Sequence, residues 1–309
     1  MTHPKVIVLI LSYNGKHQHL LDDSVSSYLA NDYPNFEVVV IDNGSTDGTS
    51  EYVQKKWPEV FVLRTEKNLG YSGGFNFGLE YAFGEQNADY VLITNNDVQA
   101  DSKVITELIK VAEQGSKIGF VIGKVYYFAR PNTLQTVGKK YDPILFNAGH
   151  IGNREKDEGQ YDKIEERAWC DDIYWLVKRE LYEKTGGYDT ELAFQAEDFE
   201  WQVRAKKLGY KIMYTPHAKL WHKESMTIGK TSPFKAYYDA RNPLIVHFKH
   251  RTPEQVKYFL YHKLKGNLRY TFKNILKLKF MHSVKMWQGF SSALLWAYKN
   301  NKLSVKNFL

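Results

Sequence analysis

The apolar run Tyr90-Val91-Leu92-Ile93-Thr94 stops at Asn95-Asn96-Asp97, so a short buried strand would deliver amide and carboxylate oxygens at its C-terminal tip. Oxygen donors suit a hard cation such as Mg²⁺ or Mn²⁺, which keeps coordination positions for water and for the phosphates of a substrate. The same three residues can equally form a turn and cap a helix. Glu197 and Asp198 open a helical pattern, where acids complement the helix dipole whether or not they do chemistry. His222, after Ala218-Lys219-Leu220-Trp221, is a metal ligand or a packed histidine. Asp42 follows a second apolar run; it can cap a turn with Ser45 and Thr46, or accept hydrogen bonds from a base or ribose. The stretch Asn68-Leu69-Gly70-Tyr71-Ser72-Gly73-Gly74-Phe75-Asn76 either turns sharply or lets a diphosphate reach N–H groups at a helix start.

These residues need a scaffold that brings them together. Residues 6–11, 37–41, 60–64 and 90–94 read as strands, separated by helical patterns over about 17–29, from Ser45 or Thr46 to Trp57, and from the glycine-rich turn to about Phe83. Strand and helix alternate, which predicts a mostly parallel sheet with helices on its faces. Each polar motif follows a strand, the side on which open α/β sheets bind ligands. The four motifs therefore converge. Further on, the spacing predicts a helix over 101–114, a strand over 119–123, and long loops or a hairpin insertion within 126–167. Regularity returns at Trp169-Cys170-Asp171-Asp172-Ile173-Tyr174-Trp175, with a helix to Lys184, a second helix over 197–208, a strand over 211–215 and a separate segment ending at His222.

With 309 residues and 43% hydrophobic content, the chain can bury a large core. Its one cysteine, Cys170, excludes an internal disulfide and a cysteine metal cluster, and fits a reducing compartment such as the cytoplasm. Residues 6–11 are too short for a secretory core segment, and no uncharged apolar run reaches the roughly 20 residues that cross a bilayer. The net charge of +7 is uneven. From Lys249 onward there are 13 Lys and Arg against the single acid Glu254, while residues 1–248 carry a net −5. The tail therefore faces something anionic.

Taken in order, Ser12-Tyr13-Asn14, Asp42-Asn43-Gly44-Ser45-Thr46-Asp47, Asn68-Leu69-Gly70 with Gly73-Gly74 and Asn76, Asn95-Asn96-Asp97, Gly187-Tyr188-Asp189, Glu197-Asp198 and His222 resemble family 2 glycosyltransferases. The likeness is greatest to the rhamnosyltransferase-like branch that builds bacterial cell-surface polysaccharide, and Tyr237-Tyr238 with Arg241-Asn242 resemble a paired motif of that branch. The resemblance implies an α/β GT-A fold (Rossmann-like, mostly parallel sheet flanked by helices), a nucleotide-diphosphate sugar donor, Mg²⁺ or Mn²⁺, and inversion at the anomeric carbon. It implies that Ser12 and Asn14 lie near the nucleotide, that Asp42 contacts the base, and that Gly70, Gly73, Asn76, Asn95 and Asn96 border the donor. Asp97 and His222 correspond to metal contacts, Asp198 to the catalytic base, and Glu197 and Trp175 to acceptor contacts. One departure stands out: the first acid of the family's Asp-x-Asp motif is Asn95, so Asp97 alone supplies a formal charge there.

The expected organisation is a catalytic domain over 1–248, with a nucleotide-sugar half to about 125 and an acceptor half after it, and a basic amphipathic helical tail over 249–309. The tail alternates lysines with Leu, Phe and Trp, a pattern that suits the interface of an anionic membrane or, alternatively, packing on the domain or in a homo-oligomer. The expected setting is cytoplasmic, peripheral at the inner face of the cell membrane, with a saccharide or polyprenyl-linked saccharide acceptor. Two other classes compete. A dehydrogenase needs Gly-x-Gly-x-x-Gly after the first strand, and Ser12-Tyr13-Asn14-Gly15 lacks it. A nucleic-acid or membrane binding protein without transferase activity explains the tail but leaves the acidic motifs idle, so no nucleic-acid partner is expected.

Overall fold

The computed structural model describes residues 3–16, 20–142, 146–223 and 232–303. Its contacts divide the chain into two compact units. The first comprises Met1–Tyr141, Asn147–Ala193 and Trp201–Glu224, and the second Asp142–Phe146, Phe194–Glu200 and Ser225–Leu309.

The first unit is built on a sheet whose strands begin with β1 (Val6–Ser12), β2 (Phe36–Asp42), β3 (Phe61–Arg64) and β4 (Tyr90–Thr94). It continues through the short β5 (Val98–Ala100), β6 (Ile118–Tyr127), β7 (Arg130–Thr136), β10 (Glu165–Arg167), β11 (Tyr174–Lys178) and β12 (Lys211–His222). The main order is β10-β12-β6-β11-β4-β1-β2-β3, and six of these eight strands share a direction; β10 and β11 oppose it. The parallel strands are apolar on both sides because helices cover both faces. Val6, Val8 and Ile10 face one core with α1 (Leu20–Leu29), α2 (Thr49–Lys56) and α4 (Val104–Ala112). Ile7 and Leu9 face the other, with α3 (Gly70–Leu79), α5 (Arg179–Thr185) and the later turns of α6 (Glu197–Lys207). Alternation along one strand thus feeds two cores.

Two features differ from the sequence-based expectation. Residues 211–222 form one long strand, because β12 bridges Pro216 with a register shift and resumes pairing with β6 at Lys219. The tip of β4 leads first into β5, which pairs antiparallel with the end of β12, and only then into α4. The stretch 126–167, expected as long loops or a hairpin insertion, takes the strand-paired form, with β7, β10 and the paired strands β8 (Lys139–Asp142) and β9 (Phe146–His150). It is anchored by buried Lys124, whose ammonium sits 2.7 Å from Asp157 and 2.6 Å from Asp162. Residues 17–19, expected in the first helix, lie outside the described residues.

The second unit contains α7 (Pro233–His250), α8 (Pro253–Leu276) and α9 (Phe280–Lys299). Gly289 lets α9 close on α7: a Cβ there would lie 2.1 Å from the Tyr237 carbonyl oxygen. His247 of α7 stacks on Phe259 of α8 with ring centroids 3.5 Å apart. Burial lowers the pKa of His247 to about 2, so it packs as a neutral ring. These contacts group α7 with the tail helices, whereas the expected division at 248/249 falls inside the last turn of α7. Among the described residues, no helix is long and apolar enough to cross a membrane.

Candidate active site

The polar ends of β1 to β4 are laced to one another at the C-terminal edge of the sheet. Asn14, left-handed with φ 52°, donates its N–H to Ser45 Oγ (2.9 Å) and accepts the Thr46 N–H at Oδ1 (3.0 Å). Ser12 is buried beneath this loop. A Cβ on Gly15 would meet Ser12 Oγ at 2.3 Å. Asp42 is fully buried; it accepts the Ser45 N–H (2.8 Å) and the Ser50 hydroxyl, with the Arg64 guanidinium 3.7 Å away. Its carboxylate caps the turn, so a base would meet that turn rather than Asp42 itself. Asn43 ties the next loop in, donating to Gly70 O (3.0 Å) and accepting from the Leu69 N–H (2.9 Å).

The glycine-rich segment is fastened more tightly than its sequence suggests. Gly70 has φ 74°, and its N–H donates to Asn68 Oδ1 (2.8 Å), while the Tyr71 N–H donates to Ala193 O (3.1 Å). The first two N–H groups of α3 are therefore committed within the protein and do not point at a diphosphate. Gly73 lies over Leu69, at 2.8 Å from a built Cβ to the Leu69 Cβ. Asn76 spends its amide on the Tyr188 backbone, donating to O and accepting from N–H, both at 2.8 Å. These residues shape the turn; Asn76 does not face a donor.

Asp97 and His222 meet. They are 125 positions apart, yet β5 carries Asp97 beside the end of β12, where His222 registers with Val98 and the Lys223 N–H bonds Asp97 O (2.9 Å). His222 Nε2 lies 3.2 Å from Asp97 Oδ1, with both side chains mostly enclosed. The other ring nitrogen, Nδ1, is 2.9 Å from Gln135 Oε1 on β7. With a cation at Asp97, an Nδ1–H donated to this oxygen would leave Nε2 to ligate it, the arrangement of a metal-binding histidine with an outer-shell partner. Asn95 is steadied beside them: its N–H donates to Ile173 O (3.1 Å), and its Oδ1 lies 3.5 Å from the Tyr71 hydroxyl. Among the described residues, no three His, Cys, Asp or Glu side chains cluster as a complete metal site. One carboxylate and one imidazole fit a cation that takes its remaining ligands from phosphate and water.

In the second unit, Glu197 and Asp198 begin α6. Glu197 is buried and Asp198 half-buried. The two residues before them, Gln195 and Ala196, are both left-handed, with φ 69° and 68°. Non-glycine residues in that region cost on the order of 1–3 kcal/mol each and persist only where neighbours enforce them. Asn242 of α7 enforces them, its side-chain amide donating to Phe194 O (2.7 Å) and Gln195 O (2.9 Å), while the Arg241 guanidinium donates to Asn242 Oδ1 (2.7 Å). Lys235 reaches Gln195 Oε1 (2.9 Å), and His250 Nε2 lies 2.8 Å from Glu200. Trp175, by contrast, is fully buried in the first unit, stacked on Phe120 with ring centroids 4.4 Å apart. An aromatic in a central strand packs in the core, and that burial removes Trp175 as an acceptor contact.

The sequence profile described as glycosyl transferase family 2 matches residues 7–186, more than half of the chain. The chain belongs to this family. It is similar to the N-acetylglucosaminyl-diphospho-decaprenol L-rhamnosyltransferase of Mycobacterium tuberculosis, 28% identical over 251 residues, 74% of this chain and 79% of that protein. The probable glycosyltransferase YdaM of Bacillus subtilis is 28% identical over 230 residues, and there the match spans about half of the relative, 52%. Among solved structures, the mannosyltransferase PcManGT of Pyrobaculum calidifontis with GDP-Man and Mn²⁺ superposes with a TM-score of 0.55 at 19% identity, covering 99% of this chain and 78% of that one. GalNAc-T7 with UDP, GalNAc and Mn²⁺ gives 0.62 at 16% identity, covering 96% and 58%. These likenesses establish the GT-A fold.

One residue of this glycosyltransferase escapes a reading of the sequence. Gln135 sits in the polar stretch whose pairing the sequence does not reveal. Its only signal is the alternation Leu134-Gln135-Thr136, which sets Gln135 opposite two buried neighbours. Gln135→Leu should weaken Mn²⁺ affinity by about 10- to 100-fold, as lost outer-shell partners do, with transfer recovering at saturating metal. An unchanged Mn²⁺ titration would separate Gln135 from the site. Asn242, in the Arg241-Asn242 pair that the sequence already singles out, holds the turn before α6. Asn242→Ala releases the left-handed turn before Asp198, the base that the family resemblance implies, so transfer should slow by about 10-fold or more if that role holds, since small misplacements of a catalytic group cost that much. Donor affinity should stay near normal; equal losses in donor binding and transfer would mean a general loss of fold.

Proposed function

We propose that this glycosyltransferase moves a sugar from a nucleotide-diphosphate donor, dTDP-rhamnose or a UDP-sugar, to a hydroxyl of a saccharide or polyprenyl-linked saccharide, with inversion, in cell-surface polysaccharide synthesis. The observation that supports it most is the meeting of Asp97 and His222 at the strand tip, with Gln135 on the other ring nitrogen, a set that suits a divalent cation and its outer shell. The name of the mycobacterial relative favours rhamnose and a lipid-linked acceptor. Mg²⁺ or Mn²⁺ held by Asp97 and His222 would stabilise the charge that develops on the departing diphosphate. The loops carrying Asn14, Thr46 and Asn43 hold the nucleotide, with Asp42 acting through the turn it caps and Asn95 and Asn96 bordering the diphosphate. An acceptor hydroxyl is a poor nucleophile; Asp198 takes its proton as the new bond to carbon forms. One displacement inverts the configuration without a covalent enzyme intermediate. The basic tail places the reaction at the inner face of the cell membrane.

A screen of nucleotide sugars, with free and lipid-linked saccharides as acceptors, tests this directly. Acceptor-dependent release of nucleoside diphosphate from one donor is expected. Release from none, with dTDP-rhamnose and UDP-hexoses all included, would overturn the assignment.

A further inference from the structure

The helix α8 is amphipathic in the wrong sense for a helix bathed in water. Its inward side carries Asn267 and Asn274, both buried, beside Val256 and Phe259. Its outward side carries Leu264, Leu268, Phe272 and Leu276, exposed by 43%, 57%, 65% and 69%. Their four-residue spacing makes one continuous apolar ridge. Immediately beside it, turned by about 100° at each step, runs the ridge Lys265, Arg269, Lys273 and Lys277.

The turn into α9 repeats the pattern. Lys279 N–H bonds Asn274 O (2.8 Å) and Leu278 N–H bonds Ile275 O (3.1 Å), the two bonds of a Schellman helix end. The left-handed position of that motif normally belongs to glycine or asparagine; here it is Leu278, φ 54°, with 78% of its surface exposed. Phe280 and Met281 follow, also exposed. Between α8 and α9 lies an open groove of about 790 Å³ lined by Ile275, Phe280, Val284, Trp287 and Leu295. Trp287 is tied to Thr271 and packs on Phe290, while Leu268, Phe272, Leu276, Leu278, Phe280 and Met281 stay largely exposed among the described residues.

We infer that the ridge and the hairpin tip enter the interfacial layer of an anionic phospholipid bilayer, with acyl chains filling the groove and the lysine ridge lying against the headgroups. Charge decides between the occupants. No acidic residue follows Glu254, so a second copy docked on this surface would bring a second basic ridge against the first. An anionic lipid surface offers the opposite sign and an apolar phase together. This deepens the proposed membrane location by naming the element that makes contact, and it does not depend on which sugar is moved.

Because α9 packs along α7, deleting the tail would strip the second unit; substitutions confined to exposed side chains leave that contact alone. The full chain should sediment with phosphatidylglycerol-containing vesicles and much less with pure phosphatidylcholine. Leu268→Ser/Phe272→Ser/Leu276→Ser and, separately, Lys265→Glu/Arg269→Glu/Lys273→Glu should each weaken vesicle binding by at least about tenfold while the circular dichroism melt is unchanged. In a third variant, Phe272→Trp, vesicles with brominated acyl chains should quench the added fluorescence, a readout that survives if a triple variant folds poorly. Wild-type binding by the ridge variant, equal binding to neutral and anionic vesicles, or no quenching would overturn the inference. So would a dimer in light scattering that the ridge variant dissolves. Donor turnover on a water-soluble acceptor should match wild type in the ridge variant, so a failed enzyme assignment and a failed membrane contact give different results.

Discussion

Asp198→Asn should leave donor binding nearly intact while slowing transfer by at least about 10²-fold, the usual cost of a lost general base. The amide keeps the shape of the side chain and removes the proton acceptor. Neighbouring residues on a helix diverge by about 100°, so Glu197 and Asp198 cannot both address one hydroxyl. The structure separates them: Glu197 is buried, and Asp198 keeps part of its surface. The strained turn behind them, clamped by Asn242, fixes how α6 begins. Glu197→Gln should therefore hurt less, through acceptor affinity and the seating of that first turn. Donor binding by calorimetry beside single-turnover transfer distinguishes the two acids. Near-normal transfer by Asp198→Asn, with collapse in Glu197→Gln, would assign the base to Glu197.

Asp97→Ala carries the second large effect: donor affinity should fall on the order of 10²-fold or more, and added Mn²⁺ should not restore it. Asn95 stands where the family motif has its first acid, so Asp97 is the single formal charge within this motif, and among the described residues no group of three His, Cys, Asp or Glu is present to take over a cation. His222→Ala should be milder, because a water can take the place of a neutral imidazole while the carboxylate remains. An Asp97→Ala enzyme that binds donor as tightly as wild type in the same metal would show that the cation sits elsewhere.

How far the sequence reveals this molecule depends on the range of the interaction. The strand tips were legible because apolar runs ending in Asn, Asp and Gly are local patterns, and parallel pairing then brings Ser12 beside Asp42 in register. The two cores follow from the same alternation. What a side chain does at a tip was less legible. Asp42 faces inward to cap its turn, and Asn76 faces Tyr188, because a hydrogen-bonding residue in a glycine-rich loop serves the loop and a ligand equally well on paper. Trp175 failed for a related reason: an aromatic in a strand reads the same whether it stacks on Phe120 or on a sugar. Gln135 and Asn242 act across 87 and 48 positions, and only the folded chain brings each to the group it holds. The inverted polarity of α8 was hidden because helical spacing tells which residues share a face but not which face turns outward.

Sugar transfer by this chain should depend on a divalent cation held at Asp97 and His222. The most direct test of this dependence is nucleoside diphosphate release by the wild-type enzyme, with its best donor and acceptor, in excess chelator and then on titration with Mn²⁺ or Mg²⁺. Release should vanish in chelator and return with the metal, at a concentration shifted upward in Gln135→Leu and His222→Ala. Full-rate release in excess chelator would contradict it.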